Sequence, residues 1–220
     1  FHSLYHTVHN FCTVDLSSIY FDILKDRLYA STPGSIERRS AQTVLYELLQ
    51  SLVVLVAPVL TFSSEEIWQF MPKRAGLPFS VQLAAWPVAK PQYINTELEN
   101  KWDKLLELRS EVTKALEISR RNKEIGNSLD ADLLLFAEGE VIDLLSSVET
   151  ELANYFIVSA VKLANLDQAP ATAVRSETLQ LAVQVLPAVA EKCERCWIHA
   201  ELTSPAPGEP GLCKRCATVM

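Results

Sequence analysis

Apolar positions near the start of the chain recur every three or four residues: Phe11, Leu16, Ile19, Tyr20, Ile23, Leu24 and Leu28. That spacing draws one apolar stripe along a helix, with a break predicted near Asp15. Thr32, Pro33 and Gly34 make a turn. A second helix is predicted over residues 35–56, through Val44, Leu45, Leu48, Leu49 and Leu52. A third starts at residues 61–64, where Ser63 and Glu66 have capping-box spacing, and stops before Pro72. The longest apolar run, residues 52–60, contains Pro58. It falls far short of the roughly 20 residues a membrane span needs, so it reads as a buried helix.

Pro72, Pro78, Pro87 and Pro91 make residues 72–95 a loop-rich bridge. A long helix then begins at Thr96, spaced from Glu99 as a second capping box. Its apolar face is Leu98, Trp102, Leu105, Val112 and Leu116, and Gly126 supplies a glycine stop. Beyond Gly126 the pattern changes. Residues 132–137 read as a strand, 141–148 as a short helix, and 156–163 and 179–186 alternate as strands do. An Ala/Thr/Pro linker lies near residues 169–173. The expected fold is mainly α: a helical bundle over residues 1–92, then a long helix and the start of a small α+β subdomain over 93–168. A last strand and linker fill 169–190, and a cysteine module occupies 191–220.

Composition changes this picture little. With 49% hydrophobic and 21% charged residues, the 220-residue chain has the make-up of an ordinary soluble globular protein, which argues against disorder over most of its length. It opens on Phe1, with no initiator Met and no basic-then-apolar leader, which suggests a piece of something longer without a targeting peptide. Charge matters more. The net charge is −7, but residues 93–168 hold fifteen acids against eight bases, while 1–92 hold seven of each and 169–220 five of each. Strong non-specific nucleic-acid binding is therefore not expected, although a selective contact at a local basic patch remains open. Basic pairs stand at Arg38/Arg39, Lys73/Arg74 and Lys214/Arg215.

The sharpest chemical signal is Cys193-Glu-Arg-Cys196, sixteen further residues, then Cys213-Lys-Arg-Cys216. Four thiolates at this spacing close a tetrahedron around Zn²⁺ at roughly 2.3 Å each. Pro205, Pro207, Gly208, Pro210 and Gly211 in the intervening loop offer no core of their own. Metal binding then supplies most of the folding free energy, on the order of 10 to 16 kcal/mol for structural zinc. An all-cysteine set leaves no open position for water, so such zinc is structural. Iron in a rubredoxin-like site uses the same ligands, and spacing does not separate the two. Two disulfides would need an oxidising compartment that nothing in the sequence suggests. Arg195 and Arg215, with Lys192 and Lys214, either offset the negative charge of four thiolates or also meet phosphates. Trp197 is either a cap over the metal or a platform for an unpaired base.

Other residues take plainer readings. His2, His6 and His9 recur near helical spacing without acids or cysteines around them, so no metal site is expected there. Cys12 reads as a small buried hydrophobe, Glu65 and Glu66 as first-turn helix charges, and Arg120, Arg121 and Lys123 as a solvated helix end. No Gly-rich phosphate loop or nucleophile elbow is present.

Five ordered stretches together resemble class I aminoacyl-tRNA synthetases: residues 15–29; Arg38-Arg39-Ser40 with 43–46; 57–68; 109–112 with 115–117 and 120–129; and the two cysteine knuckles. The first four are shared in part with the valine and leucine enzymes. The cysteine tail behind a small mixed subdomain points to the isoleucine enzyme of bacterial type. The resemblance implies a cytoplasmic, monomeric enzyme that joins isoleucine to its tRNA using ATP and Mg²⁺. Its catalytic domain would be another part of the same polypeptide, because neither the His-Ile-Gly-His nor the Lys-Met-Ser-Lys-Ser signature occurs here. This chain would contribute anticodon stem-loop recognition and one structural Zn²⁺ held by Cys193, Cys196, Cys213 and Cys216. Arg195 and Trp197 are the first choice for RNA contacts, Arg38 and Arg39 the second. Alternatives are a valine- or leucine-type anticodon region, or a DNA-binding zinc finger like that of certain repair glycosylases.

Overall fold

The computed structural model describes residues 1–203 and 211–219 and divides into two compact units, Phe1–Ile94 and Asn95–Met220. Of the loop residues named above, Pro205, Pro207, Gly208 and Pro210 lie outside the described residues.

In the first unit, α1 (His2–Asn10) continues through a π-helical stretch, Phe11–Tyr20, into α2 (Phe21–Tyr29). The break predicted at Asp15 is thus a widening of the helix and not an interruption. The Phe21 N–H reaches back to the Leu16 carbonyl, and the Ser18 hydroxyl approaches the carbonyls of Thr13 (3.1 Å) and Val14 (2.6 Å). These local partners keep a loosened turn satisfied. Cys12 is only half-buried, correcting the reading of it as a core residue. Helix α3 (Ile36–Val56) starts where the Ser35 hydroxyl accepts the Arg38 N–H at 3.3 Å. It gives way just before Pro58, which has no N–H to continue the ladder.

Helix α4 (Thr61–Phe70) begins earlier than the predicted capping box, leaving Ser63 and Glu66 inside it and the box unformed. The Thr61 hydroxyl instead donates to the Ala57 carbonyl at 3.0 Å. Glu65 is likewise no first-turn charge. Its carboxylate accepts from the Ser80 hydroxyl (2.7 Å), the Val81 N–H (3.0 Å) and Gln69 (2.5 Å), which ties the bridge to the helix. Trp68, 1% exposed, donates its indole N–H to the Pro78 carbonyl at 3.1 Å and packs with Val53, Val54, Ala57, Met71 and Val81.

The second unit opens with α5 (Thr96–Arg121), capped by Asn95 and not by Thr96: the Asn95 side chain accepts the Leu98 N–H at 3.0 Å. Its buried stripe is Leu105, Leu108, Val112, Ala115, Leu116 and Ser119. The helix stops ahead of Gly126. Lys123 takes the left-handed position at φ 62°, donating to Arg120, while Glu124 donates to Ser119, both at 3.0 Å. That is the bonding pattern of a Schellman cap, built without glycine.

Strand β1 (Ala131–Ala137) follows, then α6 (Gly139–Ser146), α7 (Glu149–Phe156) and β2 (Ala160–Asn165). Residues 156–159, predicted as strand, are the end of α7 and its left-handed cap, Ile157 at φ 58°. Strand β3 (Val174–Arg175) lies close after the predicted linker, and β4 is Leu181–Pro187. The sheet order is β2-β1-β4-β3, with β1 parallel to β2 and antiparallel to β4. The α6–α7 pair is therefore the crossover that a parallel pair requires. Leu133 and Leu135, at 1% and 0% exposure, fill one face of central β1; Phe136 packs with Ala173 and Ala182 on the other. Because Ala131 pairs with Pro187, the chain leaves β4 beside the start of β1. That junction places the cysteine module. No helix among the described residues is long and apolar enough to cross a membrane.

Candidate metal centre and its exposed knuckle

After β4 the chain forms an isolated bridge between Lys192 and His199, and the first cysteine knuckle is the loop between them. Within it the Cys193 N–H donates to Ile198 (3.0 Å) and the Trp197 N–H to Cys193 (2.9 Å), folding the loop back on its first cysteine. The second knuckle comes from a short hairpin, β5 (Leu202–Thr203) with β6 (Leu212–Cys213), running into α8 (Lys214–Ala217). A helical turn after Cys213 brings Cys216 to the same point. The Glu194 N–H donates to the Gly211 carbonyl (3.0 Å) and the Gly211 N–H to the Glu194 carboxylate (3.2 Å), joining the knuckles. A Cβ at Gly211 would sit 2.7 Å from a Leu202 methyl, which would have to shift to admit it.

The four sulfurs of Cys193, Cys196, Cys213 and Cys216 lie within 4.8 Å of one another, with Cys196 and Cys213 3.8 Å apart. A regular tetrahedron with arms of about 2.3 Å has edges of about 3.8 Å, so the donor set fits a tetrahedral thiophilic cation. Disulfides do not fit. The cysteines are free, and a sulfur–sulfur bond needs about 2.05 Å.

Ionisation of the set is uneven. Burial disfavours the Cys193 thiolate, but backbone N–H groups of Cys196, Cys213 and Arg195 outweigh it and bring the thiol down to about 6. Burial pushes Cys196 up to about 12 and Cys216 upward, reinforced by neighbouring cysteine sulfurs. Four thiolates cannot share so small a volume without a cation to offset their charge.

Arg195 is half-buried and donates to the Cys216 sulfur at 3.5 Å, so at least part of its charge serves the thiolates. Trp197 is different: it is 58% exposed and held at φ 65°. A bulky residue in the left-handed region is strained, and such strain persists only where the surroundings impose it. Arg38 and Arg39 belong to the other unit. Arg38 donates to the Ser31 carbonyl at 3.2 Å, and Arg39 is exposed on the first turn of α3. His2 and His6 do meet, with ring nitrogens 3.0 Å apart on the exposed face of α1.

Sequence reasoning missed the polar cluster beneath the knuckle. Asp130 accepts from Lys192 (2.8 Å), His199 (3.2 Å) and the Asn127 N–H (2.8 Å). The Lys192 ammonium, first among these partners, holds the Asp130 carboxyl below its ordinary range.

The family model for the anticodon-binding domain of tRNA ligase matches residues 1–135. The chain belongs to that family. Across its whole length it is 51% identical to the isoleucine–tRNA ligase of Desulforamulus reducens. It is 46% and 48% identical to those of Moorella thermoacetica and Syntrophomonas wolfei, again over the whole chain. It spans 24% of the length of each of these curated relatives. The family match ends within β1, whereas the likeness to the ligases runs on through the cysteine module.

Proposed function

We propose that this chain recognises the anticodon stem-loop of an isoleucine-accepting tRNA as part of an isoleucine–tRNA ligase. A structural Zn²⁺ on Cys193, Cys196, Cys213 and Cys216 would fix the knuckle that touches RNA. On this reading residues 1–92 are the anticodon-binding bundle and 191–220 the zinc module. Attachment of isoleucine, with its ATP and Mg²⁺, belongs to other parts of the whole ligase, and this chain alone does not activate the amino acid.

The observation that carries the RNA reading is Trp197: an exposed indole, held in a strained backbone conformation beside a closed four-thiol centre. An unpaired base offers a π-face to such a platform whatever its identity, and neighbouring cations meet the phosphates. Arg195 is the proposed cationic partner beside the indole; Arg38 and Arg39, on α3 of the first unit, are proposed as a second and separate RNA contact. The metal's chemistry is charge neutralisation and fixed geometry.

The test is fluorescence anisotropy of the zinc-loaded 220-residue chain with an isoleucine anticodon stem-loop, a one-base anticodon variant and duplex DNA. Binding that favours the cognate loop and disappears on chelation supports the reading. Equal affinity for all three, or a preference for duplex DNA, overturns it. Replacing Trp197 with Ala lowers affinity for the cognate loop about tenfold, in line with roughly 1 to 3 kcal/mol per stacked base. Its zinc content, measured by mass spectrometry, stays at one per chain.

A further inference from the structure

The knuckle that carries Arg195 and Trp197 is fastened at both ends to one carboxylate. Lys192, just before Cys193, donates to Asp130 Oδ1 at 2.8 Å; His199, three residues beyond Cys196, approaches the same oxygen through Nε2 at 3.2 Å. The imidazole's other nitrogen lies 2.7 Å from the Ala190 carbonyl, so both ring positions are engaged. The His199 backbone N–H donates to the Ser159 hydroxyl at 2.7 Å, which donates onward to the Leu129 carbonyl at 2.5 Å. Asp130 is itself immobilised. Its second oxygen accepts the Asn127 N–H at 2.8 Å, and its carbonyl accepts the Ala188 N–H at 2.8 Å. Thus the start of β1 and the residue before β2 both grip the knuckle, across sequence separations of 62, 69 and 40 residues.

None of these groups is a metal ligand, and the knuckle's own hydrogen bonds already shape its cysteines. What the cluster adds is orientation of the knuckle relative to the sheet. We infer that Asp130, acting through Lys192 and His199, is a positioning residue for RNA recognition: it holds the Arg195–Trp197 loop in its binding orientation without touching RNA. The inference rests on the reading of Trp197 given above. Preorganisation of this kind strengthens binding because ordering costs are met before the partner arrives.

Electrostatics makes the inference sharply testable. Deleting a carboxylate near an RNA site removes repulsion, so charge alone predicts tighter binding for Asp130→Asn. Positioning predicts the reverse, a loss of about fivefold, the size expected when one or two side chains must be ordered on binding. The measurements are anisotropy with the cognate stem-loop for zinc-loaded wild type, Asp130→Asn, His199→Gln, Trp197→Ala, and the two double variants that combine Asp130→Asn or His199→Gln with Trp197→Ala. His199→Gln removes one arm without touching Asp130, and loses affinity in the same direction. In the Trp197→Ala background both losses shrink, leaving only the part carried by Arg195. Unchanged or tighter binding by Asp130→Asn and His199→Gln, or losses that add in full to that of Trp197→Ala, would overturn the positioning role. If Trp197→Ala itself binds as wild type does, the RNA-contact reading fails first, a distinguishable result.

Discussion

At the scale of single residues, three non-glycine positions among the described residues stand in the left-handed region: Lys123, Ile157 and Trp197, at φ 62°, 58° and 65°. Two of them end helices, where glycine is the usual choice. Lys123 is exposed, so glycine there relieves strain and sacrifices no packing. Lys123→Gly is expected to stabilise the second unit by about 1 kcal/mol, seen as a higher midpoint in urea. The four cysteines were legible because a candidate metal site of this kind leaves a local signature, paired cysteines with two residues between them. The Asp130–Lys192–His199–Ser159 cluster was not, since its partners meet only after the sheet has formed.

Among the elements, helix bodies were easier to read than helix ends. Periodicity fixes which residues face the core, but several side chains near each start compete to cap it. Asn95 displaced Thr96, and Ser63 lost its role when the N-cap fell three residues earlier, at Leu60. The chain around Ile157 reads as strand by composition, yet residues 149–156 form a helix because a parallel β1–β2 pair needs a crossover. The cysteine module owes little to apolar burial. Its core is Cys193, Cys213 and Cys216, with Cys196, Ala200, Leu202 and Leu212 packed around them. Chelation should therefore expose the amides of residues 191–203 and 211–219 to hydrogen exchange while β1 and β4 keep their protection. Loading the four-cysteine site with Co²⁺ should give the intense visible absorption of a tetrahedral tetrathiolate centre.

Over the whole molecule, the acidic excess of residues 93–168 and the near-neutral segments around it were plain in the sequence, whereas the pairing of those charges was not. In the first unit Glu47 binds Arg74 at 2.5 Å and Lys90 at 3.0 Å, fastening the bridge to α3. Hydrogen bonds from Arg74 and then Lys90 hold the Glu47 carboxyl below its ordinary 4.5, and Glu47 holds the Lys90 ammonium above its ordinary 10.5. A depressed carboxyl contributes stability above its unfolded value, lost as pH falls through the folded one. A raised ammonium contributes below its unfolded value, lost as pH rises through the folded one. The clamp is thus complete between those two ordinary values. Glu47→Gln should lower the melting temperature slightly and evenly across that interval, and the gap from wild type should close on acidification. Arg74 and Lys90 are solvent-exposed and Glu47 is only half-buried, so high salt should shrink the gap as well.

On the proposed reading, Trp197 sets thermal robustness against RNA binding. Glycine at that position would relax the backbone and leave the four sulfurs undisturbed, so a laboratory selection for heat resistance alone, with no RNA in the assay, should drift toward Trp197→Gly. On the RNA-contact reading proposed above, a selection that also scored stem-loop binding would keep the tryptophan.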